Sequence, residues 1–176
     1  MRPQENDYAP FYKGYIEQVP QMEPIPALEK AAEEISRFLT LLPEGKSDYR
    51  YAPDKWTVKE LLQHVIDTER IMAYRALTIA RGDTTPLPGF DENSYARQAN
   101  VEYRSLAELK GELQLVRKSS ICLFQSFDEA AFRRRGIAND NPITVLALAY
   151  LIAGHQLHHF RILQERYFPD IQLVRA

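Results

Sequence analysis

The sequence predicts an all-α protein, a four-helix bundle preceded by an N-terminal arm. Four long segments repeat apolar residues at the three- and four-residue spacing of an amphipathic helix, and strand signals are weak. The length of 176 residues fits one domain rather than two. We therefore divide the chain into a proline-rich arm over residues 1–24, a bundle over residues 25–168 and a C-terminal tail over residues 169–176.

The arm combines prolines with aromatic residues. Pro3, Pro10, Pro20 and Pro24 exclude a long helix, because each proline removes a backbone donor and clashes with the preceding turn. We predict one short helix over residues 11–18, with the aromatic side chains pinning the arm onto the bundle. Partial disorder of the arm is the alternative.

The first two bundle helices have clear boundaries in the sequence. The first is predicted over residues 26–42 and ends before Pro43. The second begins after Thr57, because Thr57 and Glu60 have the capping-box spacing that satisfies two backbone N–H groups at a helix start. It ends near Gly82.

More than twenty residues separate the second helix from the third, and a connection of this length is often the rim of a site. Ser105 and Glu108 repeat the capping-box spacing and begin a third helix over residues 106–127. Residues 128–132 are expected to add a helical turn.

The fourth helix is expected to begin at Asn141 and Pro142. Asparagine is a favourable N-cap, and a proline at the first helical position loses no hydrogen bond. The apolar pattern then continues to about Tyr167, before Pro169.

The composition excludes several classes of protein. The chain has 22 basic and 24 acidic residues, and a net charge of −2 gives no electrostatic footprint for nucleic acid or anionic lipid. The basic run over residues 133–135 is interpreted as a solvated loop rather than a phosphate site. No segment has the apolar length of a membrane span or signal peptide, so we expect a soluble, cytoplasmic protein without a membrane partner.

The single cysteine, Cys122, excludes an internal disulfide. Its apolar sequence neighbours indicate a small buried side chain rather than a catalytic thiol.

The histidines are the residues whose placement carries chemistry. His155 and His159 are four residues apart, so both lie on one face of the fourth helix, within its apolar stripe. His64 lies on the inward stripe of the second helix and can reach the same point. His158 falls outside this face and is expected at a rim or on the surface. The alternative is that these are hydrogen-bonded core histidines.

A site of three histidines has a definite coordination chemistry. Imidazole suits zinc, nickel, copper and iron(II), and three protein ligands that leave a position open are typical of catalytic rather than structural zinc sites. Such a position takes a water or a substrate thiol. Asp67, Glu69 and Tyr150 are the candidates to accept hydrogen bonds from the ligating imidazoles.

Four sequence segments resemble the DinB superfamily, in particular its YfiT-like branch of metal-dependent hydrolases. They are residues 51–60 (YAPDKWTVKE), the run DTER after His64, residues 87–92 (LPGFDE) and residues 153–159 (AGHQLHH). The resemblance extends from Tyr15 to Phe168.

The resemblance implies an up-up-down-down four-helix bundle, often a homodimer, with a three-histidine site for nickel or zinc; iron is a further candidate. The implied ligands are His64, His155 and His159. Relatives include thiol-dependent transferases and a mycothiol-dependent maleylpyruvate isomerase.

We therefore expect a metal-dependent enzyme that acts on a small molecule, either as a low-molecular-weight-thiol S-transferase or as a hydrolase. The transferase is slightly favoured, because no convincing acid–base carboxylate accompanies the histidines. An enzyme should hold the metal at the end of a cleft lined by residues such as Trp56, Tyr74, Phe90 and Tyr150. The alternative is a non-catalytic metal-binding or stress-associated bundle, which would show a fourth protein ligand and no cleft.

Overall fold

The computed structural model describes residues 1–171. Its helices are α1 (Lys13–Gln18), α2 (Pro24–Leu41), α3 (Val58–Ala80), α4 (Glu92–Gln98), α5 (Leu106–Gln125), α6 (Glu129–Arg133) and α7 (Val145–Ile162). A hairpin of β1 (Arg135–Ala138) and β2 (Asn141–Thr144) separates α6 from α7, and a π-helical turn (Leu163–Tyr167) continues α7. Short 3₁₀ turns occupy Glu5–Asp7, Pro10–Tyr12, Glu44–Lys46 and Val101–Tyr103.

The four long helices form the predicted bundle. Helices α2 and α3 each pack against both α5 and α7, so α7 touches two other long helices and also α1. Fourteen of the 18 residues of α7 are buried, which makes it a central helix that is apolar on nearly all sides. The all-α prediction is confirmed, with the hairpin as a minor addition.

Both predicted capping boxes are present. The backbone N–H of Glu60 donates to Thr57 Oγ1 at 3.1 Å, and the backbone N–H of Thr57 donates to the Glu60 carboxylate at 2.6 Å. Ser105 and Glu108 make the same reciprocal pair at 3.1 and 2.7 Å. Gly82, with φ of 84°, ends α3 in a conformation that favours glycine.

The predicted start of the fourth helix is wrong. Asn141 and Pro142 lie in β2, paired with β1, and α7 begins three residues later than predicted, with Thr144 as its N-cap. The turn residues Asn139 and Asp140 both have positive φ, at 51° and 58°, as a two-residue hairpin loop of type I′ requires. The Thr144 hydroxyl accepts from the N–H of Ala147 at 3.1 Å.

The arm is folded onto the bundle rather than disordered. Its predicted short helix appears as a 3₁₀ turn followed by α1, which packs against α7. A Cβ at Gly154 would stand 2.1 Å from the Tyr15 carbonyl oxygen, so the absence of a side chain there permits the close approach. The buried Tyr150 hydroxyl donates to the Met1 carbonyl oxygen at 2.8 Å and also contacts that of Met22.

Two side-chain expectations need correction. Cys122 is exposed, because its position on α5 faces away from the core contacts of Phe124. The basic run is not merely solvated, since Arg134 donates to the Ala80 carbonyl and Arg135 forms a 2.8 Å ion pair with Asp7 of the arm. The extra helical turn predicted over residues 128–132 is present as α6.

The long connection after α3 also contains structure. It holds α4, whose start is capped by the Asp91 carboxylate, and a 3₁₀ turn before α5. The last five positions of the predicted tail, residues 172–176, lie outside the described residues. None of the helices in residues 1–171 is both long and apolar enough to cross a bilayer.

Candidate metal centre

Three histidines meet inside the bundle. His64 is carried by α3, while His155 and His159 lie one turn apart on α7. The three Nε2 atoms stand 3.1, 3.2 and 3.1 Å from one another. Each side chain is between 7% and 9% exposed. The structure thus brings together the three residues that the sequence singled out.

The separations and protonation states of these rings fit one shared cation. Ligands on a tetrahedral zinc ion with bond lengths of ~2.0–2.1 Å stand about 3.3 Å apart. Burial lowers the pKa of His64 to about 4. The pKa values of His155 and His159 also lie well below their usual range, through burial first and then the charge of neighbouring imidazoles. All three rings are therefore neutral at pH 7, as metal ligation requires.

Aromatic side chains cover the histidine cluster. The Trp56 ring packs on His64 with centroids 4.6 Å apart, and the Tyr167 hydroxyl donates to the Trp56 carbonyl oxygen at 2.6 Å. On the other side, the Tyr15 ring makes edge contacts with His155 and His158 at 5.5 and 5.1 Å. The arm thus forms one wall of the site.

The cluster lies at the base of a cleft of about 560 Å³. Besides the three histidines, the lining residues are Phe11, Tyr12, Tyr15, Trp56, Thr68, Met72, Arg75, Phe90, Glu92, Asn139 and His158. A second groove, between α2 and α7, has about half this volume and contains none of the histidines.

Two of the four expected cleft residues are in place. Trp56 and Phe90 line the cleft. Tyr74 is 59% exposed and lies on the outer side of α3, whereas Tyr150 is buried at the arm contact described above. His158 is half-buried at the rim, where Gln18 Nε2 approaches its Nδ1 at 3.4 Å, in agreement with the prediction.

The expected acceptors for the imidazole N–H groups are wrong. Asp67 accepts from the Gln63 amide at 2.9 Å, and Glu69 forms a buried ion pair with Arg117 at 2.9 Å. Glu69 faces α5, which carries Arg117, whereas the partner of Asp67 lies on α3 itself. Within residues 1–171, the buried Nδ1 of His159 has no hydrogen-bond partner.

Arg75 and Asn139 are among the lining residues that sequence reasoning missed. A signal for Arg75 exists, since eleven residues after His64 is three helical turns and returns to the same face of α3. Asn139 reaches the cleft only through the hairpin turn, which the sequence interpretation lacked.

The fold is similar to that of known proteins. A family model described as the DinB superfamily matches residues 27–163, a span that contains all three histidines. No curated protein sequence matches this chain. At TM-score 0.68 and 18% identity, the structure is similar to YfiT from Bacillus subtilis, "a probable metal-dependent hydrolase with an unusual four-helix bundle topology"; the match covers 95% of this chain and 93% of YfiT.

A mycothiol-dependent maleylpyruvate isomerase is also similar, with a TM-score of 0.66 and 13% identity. That match covers 82% of this chain but only 61% of the isomerase. At such identities the two structural matches concern the fold alone. The family model, in contrast, spans most of the chain, and the chain belongs to the DinB superfamily.

Proposed function

We propose that this chain is a metal-dependent enzyme in which His64, His155 and His159 hold one divalent cation. The observation that carries the proposal is the meeting of three buried, neutral Nε2 atoms at the base of a cleft. Imidazole nitrogens suit zinc or nickel best, with iron as a further candidate. A divalent ion with an open position lowers the pKa of a bound thiol or water and so supplies a nucleophile at neutral pH.

Aromatic residues of the protein shield the histidine cluster from water. Trp56 fixes the His64 ring and shields one side of the cluster from water. The arm shields the other side through Tyr15. A shielded site strengthens electrostatic interactions with a bound ligand, because water no longer competes for the same groups.

Activation of a low-molecular-weight thiol is favoured over activation of water. A hydrolase needs a positioned acid or base, but Glu69 is neutralised by Arg117, and Glu92, the carboxylate that lines the cleft, is exposed at its rim. A thiol needs only metal contact and alignment. The mycothiol-dependent isomerase with the same fold supports this choice, whereas the description of YfiT supports the hydrolase as the second candidate.

The non-catalytic bundle is less well supported. A structural metal site would show a fourth protein ligand and no cleft. Among the described residues, the only cluster of metal-ligating side chains contains three histidines, and it opens into a cleft large enough for a small molecule. The homodimer implied by the family is part of the proposal, and light scattering at micromolar concentration tests it.

Activity measurements separate the two reactions. The metal-loaded protein is supplied with glutathione, bacillithiol or mycothiol and 1-chloro-2,4-dinitrobenzene, and in parallel with p-nitrophenyl esters without a thiol. Thiol-dependent conjugation that disappears in His159→Ala supports the transferase. Metal-dependent ester cleavage alone would replace it with the hydrolase, and no turnover with any pair would favour the non-catalytic bundle.

A further inference from the structure

We propose that the cleft binds a small molecule bearing a carboxylate, with Arg75 as its anchor and Thr68 as a second polar contact. The inference rests on the proposed function, because it names the class of ligand that the three-histidine site would act on. Three features of the wall formed by α3 support it.

The first feature is the alignment of polar groups along one face of α3. His64, Thr68 and Arg75 are separated by four and seven residues, so they stand on the same side of the helix. All three line the cleft, although Thr68 is only 2% exposed and Arg75 only 3%. The intervening Met72 makes the wall between them apolar.

The second feature is the missing counter-ion of Arg75. Residues 1–171 contain three buried basic side chains, and two have carboxylate partners: Arg117 pairs with Glu69 and Lys59 with Asp48. Arg75 makes no salt bridge within this range, and its guanidinium donates to the Pro88 carbonyl oxygen at 2.6 Å. A buried charge without a partner is costly. A ligand carboxylate in the cleft would therefore stabilise the Arg75 guanidinium by forming an ion pair with it.

The third feature is the unpartnered hydroxyl of Thr68. Its Oγ1 is buried and has no hydrogen-bond partner among the described residues. Thr68 lies one turn from His64, on the side toward Arg75. A hydroxyl or carbonyl of a bound molecule would be within reach of this group, between the histidines and the guanidinium.

The spacing also sets the length of the ligand. Eleven helical residues place the Cα atoms of His64 and Arg75 about 16 Å apart. Helical side chains lean toward the helix N-terminus, so the Arg75 side chain inclines back toward the histidines. The molecule is therefore an extended one, with the reacting atom at one end and the carboxylate at the other.

Matched thiols test the anchor. Cobalt-loaded protein is titrated with 6-mercaptohexanoate and with 6-mercaptohexanol, and binding is followed by the cobalt absorption spectrum. Because only the acid forms a hydrogen-bonded charge pair with Arg75, it should bind roughly tenfold or more tightly than the alcohol. Arg75→Gln should remove this preference, because it weakens the binding of the acid more than that of the alcohol.

A second arm needs no metal. Adipate should raise the melting temperature of metal-free wild-type protein, whereas 1,6-hexanediol at the same concentration should not. Arg75→Lys keeps the positive charge but loses the planar guanidinium, so it should retain part of the adipate effect. This variant replaces Arg75→Gln in the experiment if Arg75→Gln does not fold.

The outcomes distinguish the two proposals. Equal affinity for acid and alcohol in cobalt-loaded wild-type protein, together with no adipate shift, would overturn the carboxylate anchor while leaving the metal–thiol proposal intact. An adipate shift lost in Arg75→Gln, with no thiol perturbing the cobalt spectrum, would keep the anchor and overturn thiol activation.

Discussion

Two buried arginines of this bundle, Arg117 and Arg75, differ in their partners. Arg117 is fully engaged: its guanidinium donates to both carboxylate oxygens of Glu69 at 2.9 and 3.0 Å and to the Leu28 carbonyl oxygen at 3.1 Å. Arg75 is equally buried and lines the cleft, but within residues 1–171 it makes no salt bridge. The first arrangement joins α2, α3 and α5, and the second leaves a charge for a ligand.

The Glu69–Arg117 pair gives a prediction for stability. Glu69→Ala leaves the Arg117 charge buried without its partner, which typically costs about 3–5 kcal/mol. Urea denaturation of both proteins measures the change in the free energy of unfolding. Glu165→Ala, which removes the exposed partner of Arg161, is the control and should change it by less than about 0.5 kcal/mol. A loss below about 1 kcal/mol in Glu69→Ala would contradict a stabilising role for the pair.

The histidine cluster predicts how metal-free protein responds to acid. The pKa of His64 is about 4 in the folded protein and near 6.5 when the chain is unfolded, so between these values only the unfolded state takes up the proton. His155 and His159 shift in the same direction. The free energy of unfolding is therefore not reduced by these histidines above about pH 6.5, and it falls as the pH drops toward 4.

Melting temperatures of chelator-treated protein across this pH range check the expectation. Other groups also titrate there, so the wild type is compared with His155→Gln, in which one shifted group is absent. The wild type should lose more stability than the variant between pH 6.5 and 5. Parallel curves would show that the buried imidazoles are not the cause.

At the scale of single elements, some helix starts could be predicted from local sequence signals and others could not. The starts of α3 and α5 could be predicted, because a capping box is complete within four residues. The start of α7 could not, since Asn141-Pro142 satisfies the local rules for a helix cap but is used in a hairpin instead. The Asn139-Asp140 pair was the available signal for that turn.

Some features of the site could likewise be predicted from the sequence, and others could not. The inward direction of His64, His155 and His159 follows from helical periodicity alone. The ion pair of Glu69 with Arg117 does not, because it depends on which helix packs against that face of α3. Whether Trp56 and Tyr15 cover the cluster likewise depends on how a loop and the arm fold back over the bundle.

The contact between the arm and α7 gives a prediction at this scale. A Cβ at Gly154 would collide with the Tyr15 carbonyl oxygen, so Gly154→Ala should displace α1 from α7. Limited trypsin digestion should then cleave the arm faster than in the wild type, and the protein should be less stable. Gly111→Ala is the matched control, because no atom stands within 4 Å of its added methyl group and it lies inside α5.

The control should be neutral or more stable by about 0.5–1 kcal/mol, as expected for glycine replacement within a helix. Equal cleavage rates in Gly154→Ala and the wild type would contradict the tight contact between the arm and α7.

On the scale of the whole molecule, the bundle serves to bring distant parts of the sequence to one point. His64 and His159 are separated by 95 residues, yet their Nε2 atoms lie 3.2 Å apart. The central helix α7 supplies two of the three histidines, and packing of α3 against it supplies the third. The arm and the connection that contains Phe90 and α4 then close the cleft around this point.

The central claim is that this cluster binds one divalent metal ion. The most direct measurement is elemental analysis of protein purified without a His tag, for the wild type, His64→Ala and His158→Ala. We expect about one equivalent of zinc, nickel or iron per chain in the wild type and in His158→Ala, whose imidazole lies at the rim, and none in His64→Ala. Circular dichroism should show that all three proteins are helical. A metal content that His64→Ala leaves unchanged, or a wild type that neither contains nor takes up metal, would contradict the account.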